Sequence, residues 1–179
     1  MAGGLSFVQK ATLVYTLLFV FHEWEENRYP GGFIDKVVGK ITGLHADESQ
    51  ARASRIPTGI LLLTFSLVPF FLDQHLLFFL VASDLCLFEG IIHIVGIRLA
   101  KMETPYTPGM VTAEAEAVAA AAVYLHLAKT GALHPGLVAA GVLLFVVCFI
   151  CMQRSLLAMM GKGYGDIIRN IRARQKAAD

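Results

Sequence analysis

Between Ile56 and Leu99 the chain carries two long apolar stretches separated by three residues only, Asp73-Gln74-His75. Ile56–Leu72 is a run of 17 residues without a charge, and Leu76–Leu99 is longer still. A bilayer core about 30 Å thick is crossed by roughly 20 mostly apolar residues in a helix. Two such stretches joined by a tight turn read as a helical hairpin, whose outer surface would have no cover in water. Of the 179 residues, 56% are hydrophobic and 16% charged, with a mean hydropathy of +0.61. Soluble domains carry about 25% charged residues. A water-exposed globular domain is excluded, and lipid covers most of the surface.

The same criterion predicts an all-α membrane protein of a single domain over 1–179, a bundle of five transmembrane helices. The spans are about 5–26, 56–72, 76–99, 111–127 and 136–158, and 159–179 form a basic tail. Gly and Pro mark joints at Tyr106-Thr107-Pro108-Gly109 and His134-Pro135-Gly136. The segment MAGGLSFVQK lacks the basic start and small-x-small cleavage site of a signal peptide, so it reads as part of a retained first span. Five spans place Lys10 and Lys129 on one side and the other thirteen Lys and Arg residues on the opposite side. By the positive-inside rule the N-terminus is outside and the C-terminus cytoplasmic.

In the long first loop, Phe33, Ile34, Val37, Val38 and Ile41 recur at helical spacing with Lys36 and Lys40 between them. That pattern predicts a short amphipathic helix lying at the cytoplasmic interface. Tyr164–Lys176, with Arg169, Arg172, Arg174 and Lys176, reads as a basic C-terminal helix drawn to anionic lipid. A net charge of +1 supplies no field for nucleic acid. Cys86, Cys148 and Cys151 all lie in apolar runs, which excludes a disulfide framework. Cys148-x-x-Cys151 reads as small packing residues rather than a redox pair.

Ionisable side chains inside spans are costly and point to function. The first span ends His22-Glu23-Trp24-Glu25-Glu26, and at 100° per residue His22, Glu25 and Glu26 share a face. Glu89 and His93, four residues apart, share a face of the third span. The fourth opens with Glu114 and Glu116, about 200° apart, so at most one faces a common centre. Glu89 lies about 20 Å along its helix, His22 about 18 Å past Lys10, and Glu114 within about 5 Å of its span's start. All three groups therefore converge on the basic side. Asp84, about 180° from His93, reads as a separate helix-packing hydrogen bond. His45, His75, His126 and His134 receive no role.

Carboxylates and imidazoles without a resident Lys or Arg match the ligands of a divalent metal, iron, manganese or zinc. His22, Glu25, Glu26, Glu89 and His93 are the ligand candidates, enough for one ion or two, with Glu25 and Glu114 as candidate catalytic groups. Di-iron bundles use Glu-x-x-His pairs, which the His-x-x-Glu-Glu and Glu-x-x-x-His spacings match only in part. The histidine boxes of membrane hydroxylases and the His-Glu-x-x-His of zincins are absent.

His22-Glu23-Trp24-Glu25-Glu26, at the cytoplasmic end of a first span, resembles the pattern that names the HXXEE family of small integral membrane proteins. Glu89-x-x-x-His93 and Tyr106-Thr107-Pro108-Gly109 are similar to that family's later motifs, although the family pattern has Asn where Thr107 stands. The resemblance covers about Tyr15 to Met110 and implies an architecture and a site, not a reaction.

The expected function is a membrane-embedded metal-dependent enzyme, hydrolase or oxidoreductase, acting on a lipid or other lipophilic small molecule at the cytoplasmic side. Two alternatives differ in class. One is a metal-free acid/base isomerase or cyclase that moves protons on a lipid through Glu and His, as five-span sterol isomerases do by analogy of architecture. The other is a lipid- or cation-binding protein or proton-coupled carrier, for which a homodimer could supply the missing spans.

Overall fold

The computed structural model describes the backbone of residues 4–44 and 47–178, and among these residues the chain is entirely helical. The helices are α1 (Phe7–Asn27), α2 (Lys40–Thr42), α3 (Glu48–Phe71), α4 (Leu76–Leu99), α5 (Met110–Lys129), α6 (Pro135–Met159) and α7 (Tyr164–Ala178), with a π-helical turn over Ile34–Gly39 running into α2.

Three of the long helices begin where the sequence offers a side-chain partner for their free N–H groups. Ser6 and Gln9 form a reciprocal capping box at α1, and Asp47 and Gln50 do the same at α3. His134 caps α6 through Leu137 N, with Pro135 at the first helical position. The start of α5 differs: Gly109 stands at its N-cap and contributes no side chain.

α4 is the middle of the bundle and packs on α5, α6, α3 and α1. All eight residues from Phe79 to Cys86 are buried, so this stretch is covered on every side. α1 packs on α3 and α5, and α3 on α6, so the order around α4 is α5, α1, α3, α6. The core joins Tyr15, Phe19, Phe65, Phe79, Leu85 and Phe145. Tyr15 Oη and Ser83 Oγ share a hydrogen bond at 3.0 Å, which gives the one buried phenol of that core a partner. Asp84 accepts from Tyr124 Oη at 2.5 Å, the helix-packing bond expected of it.

Three helices, α4, α5 and α6, are long and apolar enough to cross a membrane. α1 and α3 do not reach that mark. α1 carries Lys10 and three glutamates in its 21 residues, and the apolar part of α3 is the shorter stretch Arg55–Phe71. α3 begins at Glu48, eight residues before the expected start at Ile56, because the Asp47–Gln50 box extends it with polar turns.

Two segments expected at the lipid surface also pack on protein. The turn over Ile34–Gly39 buries Val37, which lies close to Gly96 of α4. α7 docks on α2, with Ile167 against Leu44, Leu157 and Met160. The apolar residues of both segments find protein surface within reach, which satisfies them as lipid would. The Arg174 side chain and His45 lie outside the described residues. Cys86, Cys148 and Cys151 are all free thiols.

Candidate functional site

Three helices and one loop bring four of the expected ligands together. His22 and Glu26 come from the last turns of α1, Glu89 and His93 from α4. His22 Nε2 lies 3.6 Å from Glu26 Oε1 and 3.8 Å from Glu89 Oε2, and His93 Nε2 lies 3.2 Å from Glu26 Oε1. The imidazole rings meet edge to face with centroids 5.1 Å apart. Among the described residues, His22, Glu89 and His93 form a group in which one ligand atom of each lies within 4.8 Å of the others. His93 is fully buried and His22 nearly so.

Both rings are held from behind by the segment that leads into α5. His22 Nδ1 lies 3.1 Å from the Gly109 carbonyl oxygen and 3.1 Å from Thr112 Oγ1. A carbonyl only accepts, so Nδ1 carries the proton and Nε2 presents a lone pair to the centre. His93 Nδ1 pairs with Thr107 Oγ1 at 2.8 Å, which aims its Nε2 at the same space. Histidine ligands of metals are oriented by such partners on the second nitrogen. Thr107 thus has a defined job.

Gly109 is why the rings can approach. Its φ is +92°, and a Cβ there would stand 2.6 Å from Glu26 Cγ, 2.7 Å from His93 Cε1 and 3.0 Å from His22 Cε1. Only glycine allows both the backbone conformation and the contact. The signal for this residue was present as a Thr-Pro-Gly turn opening an apolar helix, but nothing in that turn pointed to the histidines.

Glu25 leaves the cluster for the start of α5. Its Oε1 accepts from Tyr106 Oη at 2.8 Å and Val111 N at 3.3 Å, and its Oε2 from Thr112 N at 3.0 Å and Thr112 Oγ1 at 2.6 Å. It serves as the cap that Gly109 cannot supply, with its charge at the positive end of the helix. Burial and this bond to Glu25 push the Tyr106 phenol up to about 12, so Tyr106 stays a donor at neutral pH. Because Thr112 donates to Glu25, its oxygen is free to accept from His22, and Glu25 reaches the centre through Thr112.

Of the two acids at the start of α5, Glu116 is wholly buried, whereas Glu114 is half-buried and lies within electrostatic reach of His93. The groups that act on Glu89 are Glu26 and Glu23. Glu23 itself receives the Asn27 amide at 3.0 Å and feels Arg55.

Two of the four converging groups, His22 and Glu26, belong to the motif His22-Glu23-Trp24-Glu25-Glu26, and the family described as "Protein of unknown function with HXXEE motif" matches the chain over residues 13–125. The chain belongs to the HXXEE family. No curated protein and no solved structure matches it. In this HXXEE protein the motif divides, with His22 and Glu26 turned to the centre and Glu25 to the scaffold.

Beside the centre lies a cavity of about 350 Å³. His22, Glu26 and Glu89 form its polar end, and Phe33, Val37, Phe88, Leu156 and Met160 are among its apolar walls. The inward-folded turn over Ile34–Gly39 and Ile167 of α7 complete the wall. A mainly apolar pocket with a few convergent polar groups suits a small lipophilic ligand.

Proposed function

We propose that this protein is a membrane-embedded metal-dependent enzyme, hydrolase or oxidoreductase, acting on a lipophilic substrate at the cytoplasmic side. The observation that carries the reading is the convergence of His22, Glu26, Glu89 and His93, the first three of which line a mainly apolar cavity. Two imidazoles with Nε2 directed inward and two carboxylates are ligands for iron, manganese or zinc. A bound ion of this kind activates water or dioxygen. Glu26 and Glu89 would hold its charge, His22 and His93 would fix its position, and the Phe and Leu walls would seat the apolar part of the substrate and exclude water. Glu25 acts as a positioning residue, and Glu114, within electrostatic reach of His93, stands as a candidate proton carrier.

In this reading α1 and α3 cross the membrane together with α4, α5 and α6. Leu13, Leu17 and Val20 on α1 and Ile60, Leu63 and Leu67 on α3 are exposed large apolar residues of the kind that face lipid. The distribution of Lys and Arg supports a centre near the cytoplasmic face and an N-terminus outside. Elemental analysis of detergent-purified protein tests the metal. Stoichiometric iron, manganese or zinc is expected in the wild type and its loss in both His22→Ala and His93→Ala. Folded wild type that holds none after loading would overturn the reading.

A second reading is favoured by the 3.2 Å approach of His93 Nε2 to Glu26 Oε1. That pair could move a proton on a lipid without a metal, as an isomerase or cyclase does. Turnover undiminished by chelation would select it.

A further inference from the structure

One acid of the same region is not used by the four ligands. Glu116 has 0% exposure, and neither of its carboxyl oxygens has a hydrogen-bond partner. Its level in the bundle is set by the closest approach of α4 to α5. A Cβ on Gly90 would lie 2.7 Å from Ala117 Cβ and 3.4 Å from the Ala113 carbonyl oxygen. Gly90 follows Glu89 and Ala117 follows Glu116, so the two acids leave adjoining helices at the same height. Cys86, one turn before Glu89 and wholly buried, lies within electrostatic reach of both. The charged groups acting on Glu116 are, strongest first, Glu89, Glu26 and Glu23, all carboxylates.

We infer that Glu116 is a fifth ligand and that the centre holds two divalent cations, with Glu89 shared between them. This rests on the metal reading above and adds its nuclearity. Charge balance supports it. Ionised together, Glu26, Glu89 and Glu116 would bring three negative charges, more than one divalent ion balances. Buried charges are paired or bound to metals because the unpaired state is too costly. Glu89 would be the bridge: its Oε2 lies 3.8 Å from His22 Nε2, and the next residue, Gly90, marks where α4 meets the turn of α5 that carries Glu116. Two-metal sites hold their ions about 3.5–4 Å apart, within the span of one carboxylate. Glu25 is engaged by four donors, and Glu114, half-buried, has one buried oxygen without a partner where Glu116 has two.

The test loads the full chain in detergent with manganese(II), counts metal per chain and records the electron paramagnetic resonance spectrum. About two equivalents and an exchange-coupled spectrum are expected in the wild type. Glu116→Gln should retain about one equivalent with a six-line mononuclear spectrum. One equivalent in both proteins overturns the inference and leaves the proposed function standing, whereas none in folded wild type overturns both. Should Glu116→Gln fail to fold, the wild-type count alone decides the nuclearity.

Discussion

Glu25 and Glu116 set the same functional group against the same helix, one at the N-terminus of α5 and the other inside it. Glu25 meets four donors from Tyr106, Val111 and Thr112, and Glu116 meets none. Asp84 stands between these extremes, with one oxygen bonded to Tyr124 and the other unpartnered. A carboxylate whose bonds are complete stabilises the fold. One that is buried and incomplete costs stability, and its retention calls for a chemical use. Membership of the motif does not sort the two kinds, because Glu25 and Glu26 are neighbours in sequence and serve opposite ends.

The sharpest break of this contrast is at Gly109, which touches both regions. Gly109→Ala should destabilise by about 2–5 kcal/mol, from the left-handed backbone and the crowding of Glu26 and both histidines. Thermal unfolding should show this together with loss of metal. Next is Glu25→Ala, expected to cost about 2–4 kcal/mol by removing the acceptor from charged hydrogen bonds. Metal stoichiometry should survive in that variant while affinity falls about tenfold, since the Gly109 and Thr112 partners of His22 loosen. An unchanged unfolding temperature would refute the capping role.

Glu116→Leu should do the reverse of Glu25→Ala. In metal-free protein it is expected to gain about 1–3 kcal/mol by removing a buried acid without partners. A loss of stability there would mean that Glu116 has a partner in the fold and would erase the contrast. The smallest effect is expected from Tyr106→Phe, about 1 kcal/mol for one hydrogen bond to a cap that keeps three other donors. Denaturant unfolding of the two proteins in the same detergent measures it.

The sequence made the convergence of His22, Glu26, Glu89 and His93 legible because three- and four-residue spacings on a helix fix which side chains share a face. It also separated Asp84 from them by the same arithmetic. Glu25 escaped that arithmetic: it does share a face with His22, but its partners come from a helix start more than 80 residues away, and no local spacing encodes them. The choice between Glu114 and Glu116 depended on the rotation of α5, which the approach of Gly90 to Ala117 decides and neither helix reveals alone. The apolar residues from Phe33 to Ile41 read as facing lipid because their pattern is the same for either apolar neighbour. Only the presence of the cavity shows that protein occupies that side.

The partners of the motif also set an order on assembly. His22 is held by Gly109 and Thr112, 87 and 90 positions further along the chain, and Glu25 by Tyr106 and Thr112. During synthesis α1 leaves the ribosome long before the turn that completes its acidic end, so these side chains must wait through the arrival of α3 and α4. Ligand geometry is therefore a property of the nearly finished chain, and a truncation that stops before α5 carries the whole motif without the site.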